Sequence, residues 1–152
     1  MGGYGGASGK IKDGCYYDSE GVNKIKDKNA IEVAEYYLSL GMYVVFYHEN
    51  GIDYVPDLSV DGRLVVEVKG ISSMNSTRIK ENIAKANEQV DTKLSQYPED
   101  ERHEGKIVLV SRYASAEIGF RVAYEGYQKA KNEGLVSYQV EFWVHGDIHI
   151  FD

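Results

Sequence analysis

Apolar residues recur at Ile31, Ala34 and Leu38, and Ala30, Val33 and Tyr37 widen the same face, so residues 27–40 predict an amphipathic helix. Asp27 or Asn29 suits its start and Gly41 its end. Glu32 and Glu35 lie one turn apart on the polar face. Residues 42–48 are a run of strand formers and predict a central strand. Two short β-rich runs then flank Asp61-Gly62. An Asp-Gly step between alternating apolar residues signals a hairpin, because a type I′ turn needs positive φ at both central positions. Pro56 has no N–H to donate and belongs at an edge or near a strand start. Beyond the polar loop 71–75, Ile79, Ile83, Ala86, Val90 and Leu94 form one stripe of a helix over 76–95, capped by Ser76 or Asn75. Within residues 106–111 the run Ile107 to Val110 is continuously apolar, which marks a strand buried on both faces. A helix leading into such a strand implies a parallel crossover. A further helix follows over 115–132, closed by Gly134, and then 137–145 and 147–151 as a final hairpin about Gly146-Asp147. This order defines an α/β domain with a mixed central β-sheet flanked by helices.

The 152 residues suit one domain, and 43% hydrophobic content supports a packed core. No apolar run approaches the length that crosses a bilayer, so no membrane segment is expected. Residues 1–23 read as a Gly-rich flexible lead-in and 24–152 as the single domain. The lead-in is not a P-loop, since Tyr4 replaces the first glycine and Ile11 follows Lys10. Gly6 excludes a myristoylation signal, and the absence of an apolar core excludes a secretion signal. A Gly-rich start suits a domain cut from, or delivered by, a longer protein. Cys15 alone makes no internal disulfide and, in a polar stretch, is a poor nucleophile. The net charge of −7 counts against a nucleic-acid partner unless a bound ion offsets it or the cations gather on one face. Thirteen tyrosines divide between core positions and surfaces on which bases could stack.

The chemistry concentrates in residues 53–70. If the hairpin closes at Asp61-Gly62, Asp57 lies opposite the 66–67 region, while Glu67 and Lys69 share one face of their strand. Two adjacent carboxylates repel unless a cation sits between them. Mg²⁺ binds such pairs and keeps several waters, and Mn²⁺ or Zn²⁺ are alternatives. The lysine would orient a water or stabilise charge on a phosphate. Pro56-Asp57 followed by Glu67-Val68-Lys69 resembles the PD-(D/E)XK nuclease superfamily, and over roughly 24–151 the chain most resembles C-terminal toxin domains of contact-dependent growth inhibition proteins and related polymorphic toxins.

That resemblance implies a restriction-endonuclease-like core and phosphodiester hydrolysis of tRNA, with DNA second. It implies a toxin delivered from the producing cell's surface into the cytoplasm of a neighbouring bacterium, and a cognate immunity protein that blocks the site. Asp57 and Glu67 would be the metal ligands, Lys69 the catalytic lysine, and Glu32 the assisting acid of the first helix, with Glu35 as its substitute. Asp53 is the alternative strand acid if the register slips. Arg78 and Lys80 are the candidates for substrate phosphate, and Gln89 a further polar group. His48 is expected to be a bystander rather than a ligand, His103 to be solvated, and the His145 and His149 pair to be surface groups. A repair or restriction DNase, or a non-catalytic binding module on the same fold, are the competing functions.

Overall fold

The computed structural model describes residues 14–49 and 56–152. Asp53 and the glycine-rich stretch before Gly14 fall outside them. The chain runs α1 (Lys28–Ser39), β1 (Val44–Phe46), β2 (Leu58–Val60), β3 (Leu64–Ile71), α2 (Ser76–Leu94), β4 (Glu104–Ser111), α3 (Ala116–Asn132), β5 (Gln139–Val144) and β6 (Asp147–Phe151). The strands form one mixed six-stranded sheet in sequence order, β1 to β6. β3, β4 and β5 are mutually parallel, and β2 and β6 run against them.

Alternation along the strands separates two cores. Val66 and Val68 of β3 pack with Val108, Val110 and α1. Val65 and Ile71 face the other way, onto α2 and α3. The result is a three-layer α/β/α arrangement in which α1 covers one face and α2 with α3 the other. Every apolar residue on the expected α2 stripe except Leu94 is fully buried, so the helical period carried that face correctly. The helix starts are set by side-chain caps: Asp27 accepts from the N–H groups of Asn29 and Ala30, and Asn75 from those of Thr77 and Arg78. Where α2 and α3 touch, a Cβ on Gly126 would meet the Ser76 carbonyl at 2.9 Å and the Ile79 side chain.

Three expectations change. The segment read as a central strand yields only β1, at the sheet edge, and its burial comes from α1 and from Tyr16, whose ring lies tilted against Phe46 at 5.6 Å. Within the segment read as a lead-in, Tyr16 packs on the α1-side core and Asp18 is buried. The last hairpin turns at His145-Gly146, both with positive φ (47° and 83°), rather than at Gly146-Asp147, because Val144 pairs with Asp147.

Candidate functional site

The β2–β3 turn decides the site. Asp61 and Gly62 take φ of 53° and 66°, as a type I′ turn requires, and the Arg63 N–H closes it on the Val60 carbonyl at 3.1 Å. Val60 nevertheless pairs with Leu64, not with Arg63. The loop therefore holds one residue more than a tight hairpin. This extra residue matters for parity. A two-residue loop would set Asp57 against Val66, whose side chain points to α1. Since Leu58 pairs with Val66, the next step outward sets Asp57 against Glu67, on the face shared by Glu67 and Lys69.

Asp57 lies just before β2, where its Oδ2 accepts the Val68 N–H at 2.8 Å. Glu67 is 3% exposed. Its Oε2 meets Lys69 Nζ at 3.0 Å, and its buried Oε1 has no hydrogen-bond partner among the described residues. Burial pushes the Asp57 carboxyl well above its ordinary pKa, and the facing Glu67 charge pushes it further. Glu67 is also raised, first by burial; the Lys69 charge and hydrogen bonds from Lys69 and Asp57 only partly oppose this. Two carboxyl groups that each resist ionisation, with one oxygen left over, are short of positive charge.

The fit to a metal ion follows from that donor set. Among the described residues no group of three or more His, Cys, Asp or Glu is placed to hold a metal. The donors available are two carboxylates, which suits a hard ion that retains most of its waters, such as Mg²⁺, better than the closed nitrogen and sulfur shell of Zn²⁺.

The remaining expected residues distribute unevenly. Glu32 is half exposed and pairs with Arg112 at 3.5 Å, and Glu35 lies beside the Tyr16 hydroxyl. Neither has a hydrogen bond or ion pair to Asp57 or Glu67 among the described residues. The acid of α1 whose charge reaches Asp57 is its cap, Asp27. Its sequence position announced a cap and gave no sign of this second role. Arg78 lies in the first turn of α2, in a polar depression with Gly70, Ser72, Ser73 and Thr77, at the end of the strand that carries Lys69. Lys80 is instead held by Glu133 of α3 at 3.0 Å, and Gln89 lies in the C-terminal half of α2, away from that edge. His48 Nδ1 lies 2.9 Å from Asp18, which is 1% exposed. His103 stacks on Tyr97 at 3.7 Å. His145 and His149 border a cavity of about 390 Å³ with Phe120, Glu117 and Asp147, and among the described residues no three such groups are placed to hold a metal.

Asp57 lines a cavity of about 650 Å³. Its walls are the segment before α1, the start of α1 and the ends of β1 and β2, including Lys24, Lys26, Asp27 and Tyr47.

No family model, no curated protein and no solved structure matches this chain. No helix among the described residues is long and apolar enough to cross a membrane.

Proposed function

We propose that the chain is a metal-dependent endonuclease that hydrolyses phosphodiester bonds, with tRNA the first substrate to test and DNA the second. The observation that carries this reading is the facing Asp57 and Glu67 carboxyls, both held above their ordinary pKa, with Glu67 Oε1 buried and without a partner among the described residues and Lys69 Nζ 3.0 Å from Oε2. Asp57 and Glu67 would hold the ion. A bound divalent cation supplies Lewis-acid polarisation and an acidified water. Lys69 keeps an ammonium beside the carboxylates, where its N–H donors orient a water and its charge offsets that building on the phosphate. Burial of Glu67 keeps bulk water from screening these charges. Asp27 replaces Glu32 as the assisting acid in this scheme, since its charge already acts on Asp57.

The order of helix, antiparallel three-strand meander, crossover helix and parallel strand supports a restriction-endonuclease-like core. Delivery into a neighbouring bacterium, and a cognate immunity protein, rest on the sequence resemblance alone. The test is incubation with total tRNA and with plasmid DNA, with and without Mg²⁺. Cleavage should require the metal and disappear in Asp57→Asn, Glu67→Gln and Lys69→Met chains that still fold. Undiminished cleavage in all three variants would reject the mechanism.

A further inference from the structure

The cations around the candidate site divide by whether a carboxylate already holds them. Lys69 pairs with Glu67 at 3.0 Å, Lys80 with Glu133 at 3.0 Å and Arg112 with Glu32 at 3.5 Å. Lys24 and Lys26 are exposed, make no ion pair among the described residues, and line the cavity that opens on Asp57.

Their presentation is fixed rather than loose. The strap that carries them is closed by an isolated bridge between Tyr17 and Lys24 and by the Ile25 N–H on the Tyr16 carbonyl at 2.9 Å. Asp18 organises its turn, accepting the N–H groups of Glu20, Val22 and Asn23 at 3.1, 3.0 and 3.0 Å and meeting His48 Nδ1 at 2.9 Å. Ile25 packs into the α1-side core. In an extended segment its neighbours on either side must then point away from that core, which sets both lysines toward solvent on one side.

Three of the four acids in the same wall have partners of their own. Asp18 is saturated by its donors, Asp27 is engaged as the α1 cap, and Asp57 faces Glu67. Glu49 is the remaining one.

We infer that this strap is a substrate-binding arm, with Lys24 and Lys26 gripping backbone phosphates of the nucleic-acid strand as it enters the cavity toward Asp57. The inference rests on the nuclease reading of the site. It also explains how a chain of net charge −7 can bind a polyanion: the local cations that matter are the two exposed lysines of the Asp57 cavity, not the whole surface.

The test is fluorescence anisotropy of a labelled 20-nucleotide single-stranded RNA in EDTA across a salt series, with total tRNA as competitor, on the full chain. Removing two phosphate contacts on a single strand lowers the slope of log affinity against log salt by about 1.4, or about 25-fold over one decade of salt. The K24Q/K26Q chain should show that loss, K24E/K26E a greater one, and K85Q/K131Q, altered on the outer helices, none. Both lysines are exposed, so melting temperatures should match wild type. In cleavage assays K24Q/K26Q should raise KM and leave kcat unchanged. Unchanged binding in K24Q/K26Q, equal loss in K85Q/K131Q, or no salt-sensitive binding by wild type each overturns the arm. Cleavage by wild type with unaltered binding in K24Q/K26Q rejects the arm and leaves the nuclease reading. Binding lost in K24Q/K26Q, with no cleavage by wild type under any metal, keeps the arm and rejects the nuclease.

Discussion

Replacing Asp57 by Asn should stabilise the metal-free protein while destroying its response to metal. Side chains facing each other on antiparallel strands lie about 5 Å apart. Two unit charges at that separation repel by roughly 3 kcal/mol at an effective dielectric constant near 20. Lys69 offsets part of this from 3.0 Å. A net cost of about 1–3 kcal/mol remains for holding both carboxylates ionised, worth roughly 2–10 °C in melting temperature for a domain of this size.

The sign of the pH dependence follows from the direction of the shifts. Both folded-state pKa values are raised, from ordinary values of 3.8 and 4.5, so the folded chain binds more protons than the unfolded chain above that range. Stability therefore falls as pH climbs from about 4 through the raised values. Wild type and Asp57→Asn should melt alike near pH 4, and the variant should melt higher at pH 8 in EDTA. Mg²⁺ at a hundredfold excess over its dissociation constant should restore about 2.7 kcal/mol to wild type and nothing to the variant. An exposed control, Asp100→Asn, removes the same formal charge and should change little. Scanning calorimetry from pH 4 to 8 gives the answer. A wild-type melting temperature that tracks Asp57→Asn at every pH, or an equal Mg²⁺ effect in both, would refute the reasoning.

Other perturbations test the scaffold. Gly126→Ala puts a Cβ against the Ser76 carbonyl and Ile79 where α2 meets α3, so despite a better helix propensity it should cost about 1–2 kcal/mol in a urea melt; a gain in stability would show that the helices can part freely. Asp18→Ala removes the acceptor of three strap N–H groups, so trypsin should cut at Lys24 and Lys26 many times faster than in wild type, and unchanged cleavage would dismiss Asp18 as the organiser. Because Asp18 is held down at about 2, the strap's protection should persist above pH 4 and fade as pH falls through 2, which acid-stable pepsin digestion reads directly. Glu141→Gln leaves Lys106, which meets Glu141 at 2.9 Å and Tyr37 at 2.9 Å, without its carboxylate, and should cost about 3 kcal/mol with the candidate site's metal response intact.

The elements that sequence pattern located best are those whose burial is periodic within one segment. The stripe on α2 and the apolar run of β4 need no knowledge of the rest of the chain, and both lie within a few residues of where they were expected. β1 was misplaced for the opposite reason. Its apolar residues are buried by α1 and the strap, partners outside the strand, so their density said nothing about its rank in the sheet. The candidate site shows both cases at once. Asp61-Gly62 identified the turn, and its backbone angles agree with that assignment. The additional Arg63 in the loop, which moves Asp57 from opposite Val66 to opposite Glu67, has no signature of its own. Glu32 and Asp27 differ in the same way. Both are acids on or beside α1, and only the line along which the helix crosses the sheet decides which of their charges reaches Asp57. That line is set by Ala30, Val33, Ala34 and Tyr37 packing on β strands distant in the chain, so no spacing within the helix could have chosen between them.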